Sequence, residues 1–170
     1  MSLLPPPFAD VSHPEGVRPS KYLVCVDESE VSRISVKFAC NKARKRGAYV
    51  ALLHVIPPAD VQTMPGVADK MREDRRKEAE KLLNALAKDA FDDTSMQVSI
   101  IIRDGDPGEE IIAQANEDKD INMIVFGMAP DHPNRGNMLS WLVTKLGDDL
   151  QIPMMVVPGN LSAEQIETIS

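Results

Sequence analysis

Three residues stand where predicted β-strands end, and their types could support binding or chemistry at one edge of a sheet. Asp27 closes the run KYLVCVD, Asp104 follows the run MQVSIIIR, and Gly127 follows the run INMIVF. A glycine between a buried strand and a helix is a common phosphate site, because backbone N–H groups at the helix N-terminus point at the anion. Two acids at strand ends are also what a phospho-acceptor pocket requires. These positions therefore predict a crevice for a phosphate-bearing ligand or a phosphoryl group.

The loop after Gly127 carries conflicting signals for phosphate binding. Gly136 favours a flexible backbone turn, whereas Pro130 lacks an N–H donor and has a fixed φ angle. Asp131 adds a negative charge that repels phosphate. Gly136 and Asn137 would rebuild an anion-binding turn if the next helix begins early, because asparagine is a good N-cap. The loop sequence therefore fits either a competent phosphate site or a degenerate one.

Five β-rich runs alternate with amphipathic helical segments, and these elements must position the residues above. Strands are predicted over residues 21–27, 49–55, 96–103, 121–126 and 154–157. Helices are predicted between Ser29 and Gly47, over about 67–91, from Pro107 onward, and over about 138–150. Strands separated by helices pair in parallel, and their carboxyl ends meet at one edge of the sheet. We therefore predict a doubly wound α/β fold in which Asp27, Val55, Asp104 and Gly127 converge on one crevice.

The chain divides into three parts by composition. Residues 1–19 contain five prolines and predict an extended or disordered arm. Residues 20–158 hold all the periodic segments and form one predicted domain. Residues 159–170 are a polar tail that we expect to be loosely held.

Charge, hydropathy and cysteine content narrow the functional classes. The net charge of −7 disfavours binding to nucleic acid or to an anionic membrane. No apolar run approaches the roughly 20 residues of a membrane span, and the N-terminus does not resemble a signal peptide. Cys25 and Cys40 predict two buried thiols in a reducing compartment, which indicates the cytoplasm. The three histidines have no metal-type spacing, so no metal site is predicted.

Motifs for catalysis are missing from the sequence. It contains no G-x-S-x-G elbow, no CxxC and no Walker lysine, and we predict that the protein is not an enzyme. A phospho-acceptor receiver domain is a weaker alternative. Asp27 and Asp104 would supply its acidic pocket, but the fifth strand MMVV ends without the lysine that holds a phosphoryl group.

Three polar features have a structural interpretation that we prefer. The basic run KARKR, residues 42–46, would complement the dipole at a helix C-terminus. The run REDRRKE, residues 72–78, mixes charges and predicts a solvent-facing helix surface. His54 lies at the end of a buried strand and predicts a satisfied core histidine.

Five short motifs in order resemble the universal stress protein family. They are VCVDES (24–29), LHV (53–55), GDP (105–107), NMIVFG (122–127) and the strand MMVV after Pro153. The resemblance covers residues 20–158. It implies an adenine-nucleotide alpha-hydrolase-like fold, with strand order 3-2-1-4-5 and two helices on each face. It also implies a cytoplasmic homodimer of the stress response. Together with the missing catalytic motifs, it favours a non-catalytic interaction module whose protein partner the sequence does not name. An adenine-nucleotide switch is the alternative.

The resemblance also implies a nucleotide site, from which this sequence departs. Nucleotide-binding members carry G-x2-G-x9-G followed by Ser or Thr. Gly127 matches the first glycine, but Pro130, Ser140 and Trp141 replace the later positions. In binding members the acid corresponding to Asp27 recognises the base or ribose; here Asp27 could equally be a helix cap. We expect either no cofactor or weakly bound ATP or AMP, with the candidate residues Asp27, Val55, Gly127, Gly136, Asn137 and Ser140.

The apolar composition of the fifth strand predicts how two copies of the protein would assemble. It would form an edge of the sheet, is wholly apolar and carries no charge to protect it. We expect a homodimer through Met154, Met155, Val156 and Val157, as similar stress proteins often form. Alternatively, the tail or the proline-rich arm covers this edge within one chain.

Overall fold

The predicted alternation of strands and helices is present in the computed structural model, which describes residues 16, 19–58, 64–129, 135–145 and 148–170. The strands are β1 Lys21–Cys25, β2 Tyr49–Ile56, β3 Ser99–Asp104, β4 Ile121–Met128 and β5 Met154–Pro158. The helices are α1 Glu30–Arg46, α2 Pro65–Thr94, α3 Pro107–Glu117, α4 Arg135–Lys145 and α5 Ala163–Ile169. The predicted arm, apart from Gly16 and Pro19, lies outside the described residues.

The strands form one parallel sheet in the order β3-β2-β1-β4-β5, which confirms the predicted topology. The pairing that tests this topology most directly is that of β1 with β4, where Leu23 lies beside Ile124 and Cys25 beside Phe126. The chain leaves β1 towards β2 on one side and reaches β4 on the other. The strand order therefore reverses at β1, and a crevice opens at the carboxyl ends of β1 and β4.

Both faces of the central strands are buried, and this explains their continuous apolar runs. Val24 and Leu52 lie in one core cluster, while their neighbours Leu23 and Leu53 lie in the other. All four are at most 1% exposed. Successive residues of a strand point to opposite faces, so a sheet covered on both sides needs an apolar residue at every position.

Of the helices in the described residues, three cover one face of the sheet and two cover the other. Helices α1, α2 and α5 contribute Val36, Leu83 and Ile166 to the first cluster. Helices α3 and α4 contribute Ile111 and Leu142 to the second. The predicted two helices on each face are present, and α5 is an addition to them.

The expectation of a loosely held tail was wrong, because residues 163–169 form α5. Ser162 and Gln165 make a capping box: the Ser162 N–H donates to Gln165 Oε1 at 2.9 Å, and the Gln165 N–H donates to Ser162 Oγ at 3.2 Å. Ile166 is 2% exposed and packs in the same cluster as α1. Serine followed three residues later by glutamine is a helix-start signal that the polar composition concealed.

Helix boundaries near the crevice also differ from the prediction. Helix α2 begins at Pro65 and ends at Thr94, longer at both ends than the predicted 67–91. Helix α4 begins at Arg135, three residues before the predicted start. Helix α1 ends as predicted at Gly47, whose φ of 64° lets its N–H donate to the Ala43 carbonyl. The basic residues 44–46 lie in the last turn of α1, where cations complement the helix dipole.

The packing of α5 gives a test of stability. Replacing Ile166 by alanine should lower the free energy of unfolding by about 2–4 kcal/mol, because it removes a buried branched side chain. The control is Ile169→Ala on the same helix, where the side chain is 56% exposed and the loss should be small. Urea unfolding followed by circular dichroism measures both. Equal, small losses would mean that α5 does not pack on the core.

Candidate functional site

A cavity of about 390 Å³ lies at the carboxyl ends of β1, β2 and β4. Asp27, Val55 and Gly127, three of the residues predicted from the sequence, line it together. The starts of α1 and α3 and one face of α2 complete its walls. The structure therefore brings one candidate from each of three different strands to a single site at the reversal of strand order.

The carboxylate of Asp27 organises the turn between β1 and α1. Its Oδ1 accepts hydrogen bonds from the Ser29 N–H at 2.9 Å, from Ser32 Oγ at 3.0 Å and from the Ser29 hydroxyl. The Asp27 N–H in turn donates to Ser32 Oγ at 2.8 Å. Ser29 is the N-cap residue, yet its side chain makes no capping bond because it is bonded to Asp27. Asp27 therefore has a structural role at α1 while it also lines the cavity.

His54 is held by the backbone at the cavity wall. Its Nδ1 lies 2.9 Å from the carbonyl oxygen of Val26. A carbonyl only accepts, so Nδ1 carries the proton and donates. This bond confirms the prediction of a satisfied, part-buried histidine.

Gly127 is explained by packing as well as by its place in the site. A Cβ at this position would lie 2.4 Å from Cγ1 of Val31 and 2.9 Å from the Val31 carbonyl oxygen. The end of β4 thus approaches the first turn of α1 more closely than any side chain would allow. The glycine that indicated phosphate binding is required here by the docking of α1.

The wall contributed by α2 was missed in the sequence analysis. Arg75, Glu78, Ala79 and Leu82 line the cavity, although residues 72–78 were predicted to face solvent. Ala79 is 2% exposed, and Arg75 precedes it by one helical turn, so both lie on the same face. The sequence signal was the spacing of one helical turn between Arg75 and Ala79 of the apolar stripe. It was overlooked because Arg75 lies within a run of charged residues.

Asp104 does not join the cavity, which corrects the predicted convergence of four strand ends. Its carboxylate lies 3.5 Å from the guanidinium of Arg76 and is half exposed. Asp104 ends β3, the edge strand, two positions from β1 in the sheet. The pair of acids that a receiver domain needs, Asp27 with Asp104, is therefore not assembled around this cavity.

The remaining candidates belong to α4. Gly136 and Asn137 lie in its first turn, so Asn137 is inside the helix and is not its N-cap. Ser140 is exposed and does not line the cavity. Pro130 and Asp131 lie outside the described residues.

Trp141, which replaces the hydroxyl position of the family's motif, does not line the cavity. The six-membered ring packs on the start of α3, where a Cβ at Gly108 would lie 2.4 Å from Cζ3 of Trp141. The indole is partly buried in the cluster beneath α3 and α4. The large side chain at the family's hydroxyl position is therefore used to pack two helices together.

Both thiols are held in their neutral form. Burial raises the pKa of Cys25, which lines the cavity, well above its ordinary value. Burial also raises the pKa of Cys40 to about 12, although a hydrogen bond with Thr94 opposes the change. The thiolate is the nucleophilic form, so neither cysteine is activated.

The described part of the chain carries neither a metal-binding cluster nor a membrane-spanning helix. No group of three or more His, Cys, Asp or Glu side chains there could hold a metal ion. Among the helices described there, none combines the length and the apolar character needed to cross a bilayer.

Comparison with known proteins identifies the family. Residues 20–158 match the model of the universal stress protein family, and the chain belongs to that family. A search of curated proteins found no match.

Solved structures share the fold at low sequence identity. Universal stress protein UspA from Lactobacillus plantarum is 21% identical with a TM-score of 0.67, covering 83% of this chain and 99% of its own. The universal stress protein from Archaeoglobus fulgidus in complex with dAMP is 19% identical with a TM-score of 0.61, covering 83% and 99%. A universal stress protein family protein from Arabidopsis thaliana with AMP bound is 17% identical with a TM-score of 0.58, covering 86% and 95%. The fold of this chain is thus the adenine-nucleotide alpha-hydrolase-like fold of these proteins.

The raised thiol pKa values give a test of the site's chemistry. In the native protein at pH 8, both cysteines should react with Ellman's reagent far more slowly than a free thiol, because they remain protonated. Both should react at once in guanidinium chloride. One thiol that reacts rapidly in the native state would show that Cys25 or Cys40 is an accessible thiolate.

Proposed function

We propose that this protein is a non-catalytic stress-response module that binds an adenine nucleotide weakly and acts through a protein partner. The observation that carries the proposal is that Asp27, Val55 and Gly127 line one cavity together. Its volume of about 390 Å³ falls within the usual range for small-molecule sites. Relatives solved with dAMP and with AMP support an adenine nucleotide as its ligand.

A triphosphate should bind poorly in this cavity. Asp27, Glu28 and Glu78 all line it, and their charges oppose a polyanion. The sequence at the family's glycine-rich loop also lacks a donor, because Pro130 has no N–H. The chain therefore keeps the site at the strand ends and has lost much of the phosphate cradle.

The groups lining the cavity also support a non-catalytic role. Cys25 is a neutral thiol, the Ser32 hydroxyl is bonded to Asp27, and the His54 Nδ1 proton is bonded to a backbone carbonyl. The Asp27 oxygen that accepts from Ser32 also accepts from the Ser29 N–H and the Ser29 hydroxyl, so this carboxylate is engaged in forming the turn and is not reserved for activating a nucleophile. We further propose a cytoplasmic location, since the two cysteines of the chain are free thiols.

The nucleotide proposal is tested by titration calorimetry with Mg²⁺ and ATP. The wild-type dissociation constant should exceed about 10 μM, and Pro130→Gly should lower it about fivefold by restoring one N–H donor. The control Pro133→Gly makes the same change at a position outside the family's glycine pattern and should not raise the affinity. Sub-micromolar binding by the wild-type protein would contradict a degenerate cradle.

We also propose that the protein is a homodimer through β5. Among the residues that the structure describes, this strand pairs with β4 alone, and Val156 is 39% exposed. The tail, which was the intramolecular candidate to cover the strand, packs against α1 by way of Ile166. The same strand of a second copy would satisfy the open edge about a two-fold axis.

The assembly proposal is tested by light scattering. The wild-type protein should be a dimer, and Val156→Lys should give a folded monomer, because an edge lysine blocks strand pairing. Val156→Thr keeps a β-branched side chain without charge and should remain dimeric. A wild-type protein that is monomeric at tens of micromolar would rule out this interface.

A further inference from the structure

The cavity contains one cationic side chain that the proposed function does not use. Among the described lining residues, Arg75 is the only lysine or arginine, and it stands with the acids Asp27, Glu28 and Glu78. Three carboxylates and one guanidinium give the lining a net negative charge. A ligand that enters the cavity must therefore be compatible with both the negative and the positive side chains.

Arg75 differs from the neighbouring cations of α2 in its contacts. Arg76 lies 3.5 Å from Asp104, and Lys77 lies 2.9 Å from Glu73. Within the described parts of the chain, Arg75 makes no ion pair and no hydrogen bond, although Glu78 follows it by one turn. A part-buried guanidinium has five donors and has lost some of its water, which favours an anionic ligand.

The position of Arg75 is fixed by packing. One and two turns further along α2, Ala79 and Leu82 also line the cavity, while Leu83 and Leu86 are buried in the core. Helix α2 therefore cannot rotate without exposing its apolar stripe. The backbone of Arg75 is thereby fixed at the cavity wall on a rigid element.

We propose that Arg75 binds the phosphate of a nucleoside monophosphate in this cavity and selects it over the triphosphate. The inference rests on the proposed function and adds the residue and the preferred phosphate number. A phosphomonoester carries about −1.5 to −2 charges at pH 7, and one guanidinium can pair with it bidentately. The further phosphates of ATP would meet the three carboxylates and no second cation among the described lining residues.

The test is titration calorimetry of the full chain with adenosine, AMP and ATP. The wild-type protein should bind AMP more tightly than adenosine or ATP. Arg75→Gln should weaken AMP about tenfold, through loss of a charge-assisted bond, and should change adenosine less than twofold. Arg75→Lys should restore part of the AMP affinity. Arg72→Gln, which removes an exposed arginine of the same helix that does not line the cavity, is the control and should leave the binding of all three ligands unchanged.

Each other outcome is decisive. If Arg75→Gln binds AMP as the wild type does, or weakens adenosine equally, the inference is overturned while the proposed nucleotide function stands. If the wild type binds ATP more tightly than AMP, the selection for one phosphate is overturned. If none of the three ligands binds the wild-type protein, the proposed function and this inference fail together.

Discussion

The structure depends on the close approach of α1 to the ends of β4 and β5 at Val31. A Cβ at Gly127 would lie 2.4 Å from Val31 Cγ1, and one at Gly159 would lie 2.8 Å from Val31 Cγ2. Two strand ends and the first turn of a helix therefore meet at one valine, which only glycines permit. This contact sets the depth at which α1 sits on the sheet. It thereby fixes the turn that carries Asp27, whose hydrogen bonds to Ser29 and Ser32 join β1 to α1.

Because this contact is structural, the glycine at the end of β4 does not by itself report on phosphate binding. Gly127 would be required for α1 to pack even if the cavity were always empty. Trp141 supports the same conclusion, because it replaces the family's small hydroxyl residue and packs against Gly108 of α3. In this chain the contact of Gly127 with Val31 and that of Gly108 with Trp141 hold the α/β frame together without any ligand. Family membership and retention of the nucleotide cradle are therefore separable properties.

The sequence predicted those parts of the fold whose signals are repeated along the chain. Strands buried on both faces must be apolar at every position, so β1, β2 and β4 were recognisable, and the helices between them required parallel pairing. The C-terminal helix was missed because its core contact is a single residue, Ile166, in a polar segment. Asp104 was wrongly placed in the crevice because the end of a strand in the sequence does not show how far across the sheet that strand lies from β1. Asp104 ends an edge strand and pairs with Arg76.

The site was predicted on the side built by strands and missed on the side built by α2. Strand ends are fixed by topology, whereas the contribution of a long helix depends on which of its charged residues fall beside the buried stripe. In the run 72–78, only Arg75 and Glu78 line the cavity. Arg75 lies one turn before Ala79, and Glu78 lies one turn before Leu82. The opposite wall is held rigid, since Arg103 of β3 binds Glu110, Gln114 and Glu117 of α3. That arginine is fully engaged in structure, and Arg75 is not. Which charged side chains of α2 can contact a ligand thus depends on the face of the helix that each residue occupies. The composition of the run does not reveal that face.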